Sequence, residues 1–136
     1  MFIEVVTDPG VDDMAMVEQG MRESERTATS DGPDDIRVGA LARSAENRVV
    51  GGIKACVGSC GLEIDALWVD DAHRGNGTGT KLLSGVEDFA RSHGAGIAFL
   101  TTIDSRDFYE QHGYAVYAQL EAPHSQAARY HMKKAL

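Results

Sequence analysis

Residues 70–83 read Asp70-Asp71-Ala72-His73-Arg74-Gly75-Asn76-Gly77-Thr78-Gly79-Thr80-Lys81-Leu82-Leu83, with glycine at three alternate positions. Glycines 75, 77 and 79 let a backbone turn tightly and bring several amide N–H groups against a ligand without a Cβ between them. An amphipathic helix starts directly after them, and the positive end of its dipole favours an anion. The chemistry on offer is therefore a cradle for a diphosphate. Two acids just upstream, Glu63 and Asp65, alternate with Leu62, Ile64 and Ala66. They read either as the solvated side of a half-buried strand or as carboxylates able to attract a cation and pass on its proton. In strand geometry they share one face with Leu67 and Val69.

The elements that must position these groups follow from periodicity. Residues 2–6 read as a strand, stopped by Asp8-Pro9-Gly10. Residues 11–26 are helical, with Val11, Met14, Val17 and Met21 on one face. A polar loop covers 27–35. Strands at 36–43, 49–57 and 62–69 form a meander, with short turns at Ala45-Glu46-Asn47 and Gly58-Ser59. A helix over 78–93 ends at Gly94. Residues 97–101 form a buried strand, and Asp104 can cap a short helix over 105–112. Strands at 114–120 and 128–136 close the chain. Strand 62–69, helix 78–93 and strand 97–101 make a βαβ unit, so those two strands are parallel. The glycine loop then lies at the carboxyl end of a central strand, where open sheets bind ligands. Trp68 is expected to fill the core opposite the ligand face.

The loop does not match the dinucleotide pattern G-x-G-x-x-G, and Lys81 followed by Leu82 rules out a Walker loop. Arg74-Gly75-Asn76-Gly77-Thr78-Gly79 does match R/Q-x-x-G-x-G/A, the signature of the GNAT superfamily of acyl-CoA-dependent N-acyltransferases. The chain resembles that family from Arg37 onward. LWVDDAHRGNGTGTKLL is similar to the family's strand–loop–helix core, DFYEQHGYAVYAQL to its FYEK-x-GF/GY motif, and YHMKKAL to the last strand of small members.

The resemblance implies a mixed α+β GNAT fold over residues 1–136 as one domain: a mostly antiparallel twisted sheet with one parallel βαβ unit and helices on both faces. It implies acetyl-CoA (or CoA) as cofactor, its diphosphate held by the amides of Arg74, Gly75, Asn76, Gly77, Thr78, Gly79 and Thr80. Arg74 and Lys81 would add positive charge nearby. The edge Leu67-Trp68-Val69 would pair with the pantetheine amides, which requires strand 62–69 to splay from strand 97–101. An amide near Val69 would serve as oxyanion donor. Tyr109 is similar to the family's general acid beside the thioester sulfur, and Glu63 stands where the histone-acetylating branch carries its glutamate base. Thr102 replaces an Asn that many members use to contact pantetheine. Members also usually place two helices between their first two strands, where this chain has one helix and a polar loop.

That chemistry suits these residue types. An amine of pKa near 10.4 is only about one part in 10³ neutral at pH 7, a deficit of roughly 4–5 kcal/mol for the attacking species. A carboxylate at Glu63 or Asp65 offsets it by drawing in the cation and relaying its proton. A tyrosine hydroxyl near 10 is close enough to a thiol near 8.5 to share a proton with the departing sulfur. The expected reaction is direct acetyl transfer in a ternary complex, to a small cationic amine or to a protein. The alternative is a non-catalytic acyl-CoA-binding module of the same fold.

Composition bounds the rest. The chain has 136 residues, 43% hydrophobic and 25% charged, enough for a core without metal or disulfide. A net charge of −8 excludes a nucleic-acid binder and suits a cationic acceptor. No apolar run is long enough to span a bilayer and no basic leader opens the chain, so the expected compartment is the cytoplasm. Cys56 and Cys60 then stay reduced thiols beside a hairpin turn. The histidines show no metal-ligand spacing, and no metal is expected. Strand 128–136, were it at a sheet edge, would offer pairing across a homodimer, although Lys133 and Lys134 guard against it.

Overall fold

The computed structural model describes residues 1–28 and 35–136, so most of the expected polar loop lies outside the described residues. The chain groups into two compact units, Met1–Pro33 and Asp34–Leu136, where the sequence reads as one domain.

In the first unit, helix α1 spans Val11–Ala28. Asp12 and Asp13 complement the dipole in its first turn, and the Met14 amide donates to the Gly10 carbonyl at 3.1 Å. Residues 2–6 form no strand, where the sequence reads as one. Apolar, β-branched residues alone do not make a strand, because each backbone donor and acceptor needs a neighbouring ladder.

The second unit holds β1 (Ile36–Arg43), β2 (Val49–Gly58), β3 (Gly61–Val69), α2 (Thr78–Ser92), β4 (Ile97–Thr102), α3 (Arg106–Gln111), β5 (Ala115–Glu121) and β6 (Ala128–Ala135). Boundaries match the sequence reading to within one residue, the usual scatter at element ends. A single turn of 3-10 helix at Asp71–His73 was not expected. The six strands lie in the order β1-β2-β3-β4-β6-β5. Only β3 and β4 pair in parallel, and α2 connects them. Strand β6 pairs with both β4 and β5, so it is an inner strand, and pairing through it across a dimer is excluded.

Helix α2 buries Leu82, Leu83, Val86, Glu87 and Ala90 and packs on β1, β2 and β3. Its apolar side chains meet Ile53, Ala55, Val57, Leu62 and Ile64 in one core, the Val, Leu and Ile side chains each contributing about 1.5–3 kcal/mol if fully removed from water. The helix stops where Gly94 takes φ +83. There the Gly94 and Ala95 amides donate to the Arg91 and Ala90 carbonyls. No described helix is long and apolar enough to cross a membrane.

Candidate active site

The site starts with a parting of strands. Parallel pairing of β3 with β4 runs from Leu62↔Ala98 to Ile64↔Leu100 and goes no further. Residues 65–69 therefore keep an open edge on that side while still pairing with β2 on the other. The Asp70 amide donates to Val50 on the β2 side at 2.8 Å. Consecutive residues of a strand point their backbone groups to opposite sides, so Val69 and Leu67 present theirs to the opening. The Val69 carbonyl confirms this direction by accepting Arg74 Nε at 3.0 Å. Its N–H points the same way.

At the end of that edge the chain turns through Gly75 and Gly77, with φ +82 and +76. Glycine adopts that backbone without the Cβ penalty that other residue types meet there. Among the described residues, no hydrogen bond engages the amides of residues 75–80. The first amide to find a partner is Lys81, on the Gly77 carbonyl at 3.1 Å. Six N–H groups are thus free at the start of α2, whose N-cap Gly77 supplies no side chain. A Cβ on Gly79 would sit 3.4 Å from the Phe108 ring, in close van der Waals contact with it.

Arg74 serves first as a strut. Besides Val69 it engages Asp71 Oδ1 at 2.9 Å, and its side chain is well exposed. Together with Leu67, Trp68, Val69, Gly75, Gly77, Thr78, Gly79, Thr80 and Tyr109, it lines a cleft of about 730 Å³. Asn76, Lys81, Thr102, Glu63 and Asp65 do not line it. Trp68 is 52% exposed, so it is a rim residue and not the core filler expected.

Helix α3 forms the opposite wall. Its expected capping residue, Asp104, makes no cap bond, and the N-cap is Ser105. Thr102 does the work instead, its hydroxyl accepting the Ser105 amide at 3.1 Å. That occupies the side chain expected to reach pantetheine. Tyr109 is 5% exposed and stacks edge-on against Phe108 and Tyr114. Burial, and secondarily the charge of Asp104, raise its hydroxyl pKa above that of an ordinary phenol, so Tyr109 holds its proton at neutral pH. His112 closes the helix: Nδ1 donates to the Phe108 carbonyl at 2.7 Å, and Nε2 lies 2.9 Å from the Thr80 hydroxyl. A carbonyl only accepts, so the proton of the neutral ring is on Nδ1, and Nε2 accepts from Thr80.

The two upstream acids are not brought to this cleft. Lys54 pairs with Ala66 but Ala55 with Ile64, leaving Asp65 as an extra residue, a β-bulge. A bulge shifts the side-chain alternation by one. Leu67 and Val69 therefore share the core face with Leu62 and Ile64, and Glu63 points to the other side. The expected common face of Glu63, Asp65, Leu67 and Val69 is thus corrected. The carboxylate that lines the cleft is Asp104, with Ser105, Phe108 and His73, four residues the sequence reading passed over. His73 Nδ1 is shielded from solvent without a hydrogen-bond partner, although Asp70 Oδ2 lies 3.4 Å away. The turn between two elements gave the only available signal for Asp104 and Ser105. Cys56 and Cys60 are free, and burial raises the Cys56 thiol pKa, with Asp35, Asp65 and Glu63 adding to it. Among the described residues, no three His, Cys, Asp or Glu are grouped to hold a metal ion.

A parted parallel strand pair, a glycine-rich loop with unbonded amides at its mouth and a buried phenol across the opening define an acyl-CoA-dependent acyltransferase fold. The chain belongs to the acetyltransferase (GNAT) family, whose profile matches residues 11–114. The fold is similar to that of an acetyltransferase from Bacillus cereus, with TM-score 0.82 and 22% identity over 100% of both chains. It is also similar to a protein of Agrobacterium tumefaciens assigned as an acetyltransferase, with TM-score 0.88 and 22% identity over 100% of both chains. A Bacillus anthracis protein in complex with acetyl coenzyme A matches at TM-score 0.66 and 17% identity, over 74% of this chain and 62% of that one. Among proteins of curated function, none matches the sequence. The family binds acetyl-CoA, and the free amides of residues 75–80 fit its diphosphate.

Proposed function

We propose that this protein transfers an acetyl group from acetyl-CoA to a primary amine by direct attack, with both substrates bound together. The observation that carries the reading is the row of unbonded amides at residues 75–80, set beside the open edge of residues 65–69 and facing Tyr109. Bound acetyl-CoA supplies an activated acyl carbon and a thiolate leaving group. The amides of residues 75–80 bind the diphosphate. The edge Leu67-Trp68-Val69 orients the pantetheine arm, and the Val69 N–H stabilises negative charge at the acyl oxygen. Tyr109 holds a proton at its hydroxyl for the departing sulfur.

Asp104 replaces Glu63 and Asp65 as the carboxylate that draws in the cationic acceptor, because it lines the cleft and they do not. The acceptor is a small cationic amine, which the net charge of −8 favours, or a protein amine. A thermal-shift screen with acetyl-CoA, CoA and an amine library tests the reading. Donor at a hundred times its dissociation constant stabilises the fold by about 2.7 kcal/mol, and a true acceptor adds to that. Thiol release from acetyl-CoA then follows with the amines that shift. Donor binding without thiol release across the library would point to a non-catalytic acyl-CoA-binding module instead.

A further inference from the structure

Of the residues lining the cleft, Arg74, Asp104 and His73 are those able to carry charge near neutral pH. Arg74 is committed to Asp71 Oδ1 at 2.9 Å and to the Val69 carbonyl at 3.0 Å. Asp104 is itself an anion. The unbonded amides of residues 75–80 bring partial charges only. A diphosphate is fully ionised, so the lining group left to meet it with a full positive charge is His73.

The ring of His73 is placed for that. The residue ends the 3-10 turn, its amide donating to the Asp70 carbonyl at 2.9 Å, directly before the glycine loop. Its Nδ1 is shielded from solvent and makes no hydrogen bond, with Asp70 Oδ2 3.4 Å away. A shielded polar atom calls for a partner. The side chain is 41% exposed all the same, so what it presents is the other edge of the ring, which carries Nε2. A neutral imidazole has one N–H and can serve only one of these edges. An imidazolium has two and serves both.

The charged groups around the ring are few. Asp70 stands beside it, Asp71 and Arg74 on the same turn pair with each other, and Asp104 lies on the cleft before α3. Nothing lining the cleft from β3 or α2 titrates, and Tyr109 of α3 keeps its proton.

We propose that His73 takes up a proton from solvent as the diphosphate enters the cradle, a step that rests on the acetyl-CoA reading above. The imidazolium donates Nε2–H to a phosphate oxygen and Nδ1–H to Asp70. The anion holds the proton on the ring, and by reciprocity the proton holds the anion. Donor affinity therefore rises as pH falls through the range where histidine gains its charge, and is flat well above it. The proton returns to solvent when CoA departs.

Titration calorimetry of the full chain with dephospho-CoA tests this. The probe keeps the diphosphate and lacks the 3′-phosphate, a monoester whose own pKa of about 6 would blur the proton count. Titrations near neutral pH in two buffers of different ionisation heat should show roughly half a proton taken up per molecule bound. Affinity should rise about 5–20-fold from about pH 8.5 to about pH 6. His73→Gln keeps an N–H donor and removes the charge. It should abolish the uptake and the pH dependence, with affinity at the alkaline end within about twofold of the parent. His73→Asn, equally uncharged, should behave alike. Uptake that persists in these variants, or parent binding with neither uptake nor pH dependence, overturns the proposal alone. Dephospho-CoA that fails to bind the parent overturns the diphosphate reading and this proposal with it.

Discussion

The Thr80 hydroxyl donates to His112 Nε2 over 2.9 Å, and through that bond the start of α2 is tied to the end of α3. The ring also lies 4.5 Å from Phe108, and Phe108 sits in turn against Gly79. The glycine loop and the helix carrying Tyr109 are thus one packed unit. His112→Ala removes two hydrogen bonds and an aromatic contact and should cost about 2 kcal/mol of stability, with Thr80→Val costing about 1. Urea unfolding of both single variants and the double variant should show coupling of roughly 0.5–1 kcal/mol, because the two share a bond. Purely additive losses would mean that the bond is not formed in solution.

Tyr109→Phe keeps the ring in its buried place and deletes only the hydroxyl with the proton it carries. Acetyl transfer should fall about 10²–10⁴-fold, the range for a positioned acid, while affinity for CoA stays unchanged. Asp104→Asn should mainly raise KM for a cationic amine and leave a neutral-leaning amine less affected. Steady-state kinetics with two amines of different pKa check both. An unchanged rate in Tyr109→Phe would remove the phenol from the chemistry.

Burial raises the hydroxyl pKa of Tyr109 and of Tyr114, the latter also through its hydrogen bond to Glu87. A group whose folded pKa lies above its unfolded value contributes fully below the unfolded value. That contribution is lost as pH climbs through the folded one. Stability should therefore be flat on this account up to about pH 10, the ordinary tyrosine value, and decline beyond it. Tyr109→Phe and Tyr114→Phe should each flatten the decline in unfolding midpoints measured across that range.

Periodicity and turn residues made the second unit readable, because its elements are bounded by local signals such as Gly94 and the Ala45-Glu46-Asn47 turn. The glycine loop was readable for the same reason: alternating glycines demand a backbone that few other structures need. Side-chain facing was not. One extra residue, Asp65, reverses the alternation after Ile64, and no composition or spacing announces a bulge. That single residue turns Glu63 away from the side of Leu67 and Val69, and the carboxylate lining the cleft is Asp104. Residues 2–6 misled for a different reason, since strand character is local but strand formation depends on a neighbour the pattern does not specify.

Glu87 is 4% exposed on the apolar face of α2, where a carboxylate is tolerated only with partners. Tyr114 supplies one at 2.8 Å and Lys134 another at 2.9 Å. The Lys134 ammonium also lies 5.5 Å from the centre of the Tyr114 ring. This joins α2, β6 and the residue before β5 on the side chains of three distant positions. Glu87→Ala strands a largely buried lysine and a buried hydroxyl, at an expected cost of about 3 kcal/mol. Replacing all three groups by apolar ones (Glu87→Leu, Lys134→Met, Tyr114→Phe) leaves nothing unpaired, and should recover at least half of that loss in urea unfolding. A triple variant no more stable than Glu87→Ala would mean that the network holds the fold through its attraction and not merely by avoiding orphaned charge.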